Sequence, residues 1–159
     1  MINTASGAKL FIGGTTAIVG ANAAAKITAF EAIVWTEVGE LEDLGEFGDE
    51  SERVTFTGLS DGRVRKLKGP RDAGEQTVVV ADDMLDTGQI AMEAAEASPL
   101  DYNFKVQLND AITIGGDDSA HYFRGKVFSK RRNVGNASNV VRRNFVIGIN
   151  TEILSTDPN

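Results

Sequence analysis

Strict alternation of apolar and polar side chains over residues 100–109 constrains the fold more than any other feature of the sequence. Leu100, Tyr102, Phe104, Val106 and Leu108 alternate without error with Asp101, Asn103, Lys105, Gln107 and Asn109. Successive side chains of a β-strand point to opposite faces, so this period of two predicts a strand with one face in a core and one in water. Phe104 is therefore predicted to be a core anchor.

Strand patterns recur along most of the chain. Strands are predicted over residues 9–12, 29–38, 53–59, 63–68, 75–81, 120–130 and about 141–150, with Phe145 as a core anchor of the last. Asp61-Gly62 predicts a hairpin turn, because both residues tolerate positive φ. Residues 69–74, with Gly69-Pro70, predict a turn or an open loop.

One helix is predicted, over about residues 87–97. Asp86 has the character of an N-cap, Gln89 follows three residues later, and Ser98-Pro99 ends the helix. Together these patterns predict a mainly β fold, a β-sandwich or partial barrel of about seven to eight mostly antiparallel strands with one flanking helix and long loops. A chain of 159 residues is expected to form a single domain, 1–159.

The first thirty residues are predicted to form a strand at residues 9–12 and a loop of small residues. Residues 10–25 carry no charge, and Ala21-Asn22-Ala23 resembles a signal-peptidase site. Glycines and threonines interrupt the apolar run, which is also too short and too polar to span a bilayer. A strand and loop without a membrane anchor is the preferred interpretation, and a cleaved signal is the minor alternative.

Residues 36–52 form an acidic segment that contains eight carboxylates and no basic residue. Apolar residues recur at every third position from the segment's root, at Trp35, Val38, Leu41, Leu44 and Phe47. This spacing suggests a helix, but each interleaved glycine costs a helix interior about 1 kcal/mol. The segment is therefore predicted to be an extended acidic arm with apolar anchors, and Trp35 is predicted to anchor its root in the core.

Basic residues are concentrated in two other segments. The first, a hairpin and loop over residues 62–74, carries Arg63, Arg65, Lys66, Lys68 and Arg71, and the second, residues 124–143, includes Arg131 and Arg132. Two interpretations stay open: solvated hairpin faces, or patches of opposite sign that mate between copies of the chain. Nucleic-acid binding is disfavoured by the net charge of −7 and by the lack of aromatic residues among these cations.

Enzymatic chemistry has little support in the sequence. The chain has no cysteine and one histidine, and it contains no nucleophile–histidine–acid order, zinc-protease motif or phosphate-binding loop. Asp82, Asp83 and Asp86, and the pair Asp117-Asp118, are candidate Ca²⁺ ligands, but acidic turns and N-caps explain them better. No catalytic residue, metal or cofactor is expected.

Several motifs together resemble the major tail tube proteins of phages with long, non-contractile tails. The resemblance covers residues 30–154 and rests on these stretches: Trp35-Thr36-Glu37-Val38-Gly39-Glu40, Leu44-Gly45-Glu46-Phe47-Gly48, residues 68–74 before a β run, and Asp86-Thr87-Gly88-Gln89 before an Ala-rich helix. It implies a β-sandwich with a flanking helix, and six copies in a ring. It also implies that rings stack into a tube around the channel that DNA traverses. Related folds occur in contractile tail tubes and type VI secretion tubes.

The resemblance implies partners and a location as well. A homo-hexamer would stack into a tube within the virion tail, after assembly in the bacterial cytoplasm. The tube would contact tape measure, tail terminator and distal tail proteins, and DNA would pass through it without specific binding. Asp101, Asn103 and Gln107 are candidates for the channel face or the outside. A soluble binding or decoration module that does not polymerise is the alternative. The candidate contacts between subunits or rings are Val38, Glu40, Leu41, Glu42, Asp43, Leu44, Glu46, Phe47, Arg63, Arg65, Lys66, Lys68, Arg71, Arg131 and Arg132.

Overall fold

A computed structural model describes residues 2–159, in which ten strands and two helices follow one another along the chain. The elements are β1 (Lys9–Ile12), α1 (Ala23–Glu31), β2 (Thr36–Val38), β3 (Leu41–Asp43), β4 (Glu50–Thr57), β5 (Val64–Asp72), β6 (Glu75–Ala81), α2 (Thr87–Ala97), β7 (Tyr102–Gln107), β8 (Ala120–Asn133), β9 (Arg142–Ile149) and β10 (Leu154–Thr156).

Eight of the strands form one antiparallel sheet in the order β2-β1-β7-β8-β9-β6-β3, with β10 paired to β8. The mainly β, antiparallel prediction is confirmed, and α2 has the predicted limits because Asp86 accepts a hydrogen bond from the Gln89 N–H at 2.8 Å. The sheet is not a closed barrel. Strands β4 and β5 pair only with each other and form a separate two-stranded ribbon.

Several local predictions are wrong. One helix and a loop of small residues up to residue 30 are predicted, but residues 23–31 form a second helix, α1, which also includes residues 29–31 of a predicted strand. The helix forms there because the Asn22 side chain caps it at the Ala25 N–H and Phe30 is buried beneath it. The predicted loop at residues 69–74 is mostly strand, since β5 continues to Asp72. Pro70 is tolerated there because the pairing register shifts opposite it, as at a β-bulge.

The main core lies on the inner face of the sheet, and side chains of β1, β6, β7, β8 and β9 contribute to it. Phe104 of β7 and Phe123 of β8 stack with ring centroids 5.6 Å apart, and Phe145 of β9 is fully buried beside them. Helix α2 packs on β1, β2 and β8 and adds Met92 to this cluster. The period-two pattern of β7 thus points its apolar side into the core.

A second cluster covers part of the outer face of the sheet. Phe30 of α1 stacks on Tyr122 of β8 at 5.2 Å, and the half-buried Trp35 donates its indole N–H to the Phe30 carbonyl at 3.1 Å. The predicted wet face of β7 is therefore partly covered. Asn103 is fully buried and donates to the Thr16 carbonyl at 3.0 Å, which removes it from the candidates for a channel surface.

The two edge strands of the sheet are consecutive in the chain, because only Gly39 and Glu40 separate β2 from β3. Glu40 turns the corner with φ of 56°, and the N-terminus of α2 holds it in place. Asp86 accepts from the Gly39 N–H at 3.0 Å. The buried Gln89 amide donates to the carbonyls of Gly39 (3.3 Å) and Ala81 (2.8 Å) and accepts from the Asp83 N–H.

We predict that Gln89→Ala lowers the free energy of unfolding by about 3 kcal/mol, because it leaves buried backbone groups without partners. Thr87→Ala, at the exposed start of the same helix, is the control and should change the stability by less than about 0.5 kcal/mol. Urea unfolding followed by circular dichroism measures both. Equal stability of the two variants would show that the corner does not depend on Gln89.

Candidate interaction surface

The ribbon of β4 and β5 projects from the main sheet as a two-stranded hairpin. Its turn contains the predicted Asp61-Gly62 pair but is longer than a two-residue turn, since the last strand pair is Thr57 with Val64 and the Gly58 N–H donates to the Arg63 carbonyl at 3.2 Å. Gly62 has φ of 64°, and Asp61 accepts hydrogen bonds from the Arg63 N–H and from Arg65 at 2.9 Å. No other strand in residues 2–159 pairs with the outer edges of β4 and β5. The ribbon therefore has unpaired backbone edges and side-chain surface that a partner can cover. A partner would also stabilise it, because a two-stranded hairpin alone is marginally stable in water.

The pairing register gives the two faces of the ribbon different chemistry. Val54 lies opposite Leu67, Phe56 opposite Arg65, and Glu50 opposite Asp72, which places these side chains and Glu52 on one face. Arg53 lies opposite Lys68, Thr55 opposite Lys66, and Ser51 opposite Arg71, on the other. We call the first the acidic–apolar face (Glu50, Glu52, Val54, Phe56, Arg65, Leu67, Asp72). The second is the cationic face (Ser51, Arg53, Thr55, Thr57, Val64, Lys66, Lys68, Arg71), which carries one exposed apolar side chain, Val64, near the tip.

Large apolar side chains of the ribbon are exposed. Phe56 is 55% exposed and Leu67 59%, and Val54 beside them is 43% exposed. They form a contiguous strip on the acidic–apolar face, since Val54 faces Leu67 across the strands and Phe56 follows on the same face. The sequence predicts a strand over residues 53–59, but the strip itself follows only from the observed pairing of β4 with β5.

A cleft of about 1210 Å³ opens where the ribbon joins the sheet. Its lining is mainly acidic, with Glu46, Glu50, Glu52, Asp72 and Glu75, and it has an apolar part that includes Phe47, Pro70 and Ala73. None of those five carboxylates has a cation within ion-pair distance in the part of the chain that the structure describes. The base of the ribbon is thus a concentration of negative charge close to its cationic side chains.

The acidic segment 36–52 does not form the predicted extended arm. Val38 is buried in the main core, and Leu41, Leu44 and Phe47 pack against that core. The Leu44 carbonyl accepts from Gln76 at 2.8 Å, and the Phe47 ring lies 5.4 Å from that of His121. The apolar spacing thus serves the chain's own sheet, because β3 pairs with β6. Glu40, Glu42, Asp43 and Glu46 stay exposed, and Glu42 contacts Arg142.

The second basic segment is not one continuous patch. Arg131 is exposed on β8, whereas Arg132 binds Asp82 at 2.9 Å. Arg143, which belongs to the same run, is only 2% exposed and lies 3.1 Å from Glu93 and 3.5 Å from Asp82. The Arg143 guanidinium lowers the pKa of the Glu93 carboxyl. By contrast, Arg63, Arg65, Lys66, Lys68 and Arg71 all lie on the ribbon or its tip.

The described residues contain no grouping of three or more His, Asp or Glu side chains placed to hold a metal ion. Neither helix within residues 2–159 is long and apolar enough to cross a membrane. His121, the single histidine, shares a 2.7 Å hydrogen bond between its Nδ1 and the Ser155 hydroxyl and packs against Phe47, and burial lowers the pKa of its imidazole.

Two solved structures share this fold over nearly the whole chain. The SPP1 tail tube, determined by solid-state NMR and cryo-EM, aligns with a TM-score of 0.64 at 13% identity, over 94% of this chain and 76% of that one. A chain of the anti-feeding prophage baseplate aligns with a TM-score of 0.67 at 7% identity, over 99% and 98%. No family model and no curated protein matches the sequence. The chain therefore shares the fold of the SPP1 tail tube protein and of this baseplate chain.

We predict that stability falls as the pH drops from 7.5 to 5.5. Burial lowers the folded-state pKa of His121. The part of the free energy of unfolding that depends on a neutral His121 is therefore fully present above the unfolded pKa of about 6.5, and it is lost as the pH falls toward the lower folded value. His121→Gln should flatten this slope, as measured by urea unfolding at pH 7.5, 6.5 and 5.5. The lowered pKa values of Glu93 and Asp101 act only at more acidic pH. Parallel slopes for the wild type and the variant would contradict the assignment.

Proposed function

We propose that this chain is the structural subunit of a phage-type tail tube, in which six copies form a ring and rings stack around a channel for genome delivery. The observation that carries the proposal is the ribbon, an element whose long edges and apolar side chains are left uncovered by its own chain. The shared fold with the SPP1 tail tube supports the same role. Self-assembly gives the ribbon the partner that its chemistry requires.

Contacts between copies are proposed at the exposed members of the predicted set. On the ribbon these are Arg63, Arg65, Lys66, Lys68 and Arg71. On the body they are the carboxylates of the acidic segment and the two arginines of β8: Glu40, Glu42, Asp43, Glu46, Arg131 and Arg132. Charges of both signs on one subunit favour head-to-tail contacts, because like patches repel.

The proposed tube has further partners at its ends and within its channel. Tape measure, terminator and distal tail proteins would cap or fill it, and DNA would pass without specific binding. The net charge of −7 supports passage, since a negatively charged subunit does not attract phosphates overall. The virion tail is the proposed location, after assembly in the host cytoplasm.

Concentrated purified protein is expected to form tubes of stacked six-fold rings in negative-stain electron microscopy. Sedimentation velocity over a concentration series should show mass moving from a small species into large assemblies. Heterologous contacts between copies predict this cooperative growth. A discrete particle of constant mass at every concentration would contradict the proposal and favour a binding or decoration module.

Phe56→Ser is expected to raise the protein concentration needed for assembly by about tenfold or more, equivalent to about 1.4 kcal/mol. The reason is that the contact between copies no longer buries the apolar side chain of Phe56. The control is Val34→Ser, which alters an exposed apolar residue outside the ribbon (87% exposed). Each change should alter the free energy of unfolding by less than about 0.5 kcal/mol, since neither side chain is in a core. Turbidity and pelleting assays measure assembly. An equal effect of the two variants would exclude Phe56 as a contact.

A further inference from the structure

We propose that ribbons of successive copies lie face to face, with the cationic face of one ribbon on the acidic–apolar face of the next. This inference rests on the proposed tube function and names the surfaces that join its copies. The partner is a second copy of this chain, because each ribbon carries both halves of a complementary pair.

The charges on the cationic face are not satisfied within the chain. Arg71 binds Asp49 at 3.0 Å, but no carboxylate in residues 2–159 lies within ion-pair distance of Arg53, Lys66 or Lys68. Arg53 and Lys68 also lie directly opposite each other in the register. Like charges in opposed positions of an antiparallel pair are destabilising, so an anionic surface laid on this face would relieve a repulsion already present.

The opposite face has the reciprocal arrangement. Glu50 lies directly opposite Asp72, a second like-charged pair, and Glu52 follows on the same face. Beyond these carboxylates is the strip formed by Val54, Phe56 and Leu67. Lys and Arg side chains suit such a surface, because their aliphatic stems cover apolar area while their charged ends reach carboxylates.

The sign of the charges determines the symmetry of the contact. Two cationic faces brought together repel each other, and two acidic–apolar faces repel through Glu50, Glu52 and Asp72. Only unlike faces attract, so the contact joins two different surfaces and leaves one of each open on every pair. Such a heterologous contact propagates into a closed ring or an open stack, whereas a two-fold dimer would end it.

Two charge-reversal variants test the contact. Arg53→Glu with Lys68→Glu makes the cationic face acidic, and Glu50→Lys with Glu52→Lys makes the acidic–apolar face basic. None of these four side chains forms a hydrogen bond or an ion pair within the described chain, and all four are exposed. Circular dichroism and urea unfolding of each variant establish that the monomer folds as the wild type does.

Each variant alone should fail to assemble at concentrations at least about tenfold above that at which the wild type assembles. An equimolar mixture should assemble, because both kinds of contact between unlike variants are again complementary. The two variants change the net charge in opposite directions, so a general charge effect cannot weaken both and be relieved by mixing. Electron microscopy and pelleting, with one variant carrying a fluorescent label, show whether both enter the same assemblies.

Normal assembly of either variant alone would overturn the face-to-face contact while leaving the tube function intact. The face-to-face contact would also be overturned if the mixture failed to assemble as each variant alone does, because mixing restores the charge complementarity between the two faces. Failure of the wild type itself to form tubes would instead count against the proposed function.

Engineered cysteines give a second readout, since the native chain has none. With a mild oxidant such as copper–phenanthroline to accept the two electrons, Lys68→Cys mixed with Glu52→Cys should form an intermolecular disulfide. No cross-link under assembly conditions would contradict the contact.

Discussion

The hydrogen bonds between the N-terminus of α2 and the Gly39–Glu40 corner are the interaction on which the rest of the fold depends. It fixes the point at which the chain leaves one edge of the sheet and enters the other. The helix approaches so closely that a Cβ at Gly88 would lie 2.1 Å from the Glu37 carbonyl oxygen and 2.4 Å from the Val38 Cα. With the corner held, β3 pairs with β6, and the ribbon that follows is directed away from the body.

The residues that stabilise the body and those proposed to join copies thereby lie in separate parts of the chain. The acidic segment directs its apolar side chains, Leu41, Leu44 and Phe47, onto its own sheet. The ribbon that follows leaves Val54, Phe56 and Leu67 exposed instead. The boundary lies near Asp49, which holds Arg71 at the base of the ribbon. The body can therefore fold around its own core, and the ribbon is a separate element available for the proposed contacts with other copies.

Local patterns were sufficient to predict the fold class, because periodicity and capping act over a few residues. The alternation over residues 100–109, the Asp61-Gly62 turn and the Asp86 cap each led to the element observed. Helix α1 was missed since its Asn22 cap is followed by alanines and one buried Phe, a weak signal beside the run Ile33-Val34-Trp35.

The interaction surface was only partly predictable. The sequence showed that charges are segregated, but whether a charged segment is docked depends on pairing between distant strands, such as β3 with β6. The same information decides that Arg143 is buried while Arg131 is exposed, although the two belong to one basic run. The opposite chemistry of the ribbon's faces emerges only when the register of β4 and β5 is known in full.

Hydrogen exchange followed by mass spectrometry, comparing dilute and assembled protein, tests the central claim most directly. Amides of β4 and β5 should exchange rapidly in the dilute protein, because a two-stranded hairpin that pairs with no other strand in the described chain opens readily. We expect strong protection of the ribbon amides on assembly, with little change in β6, β8 and β9, which are already paired on the sheet. Equal ribbon protection in both states would contradict it.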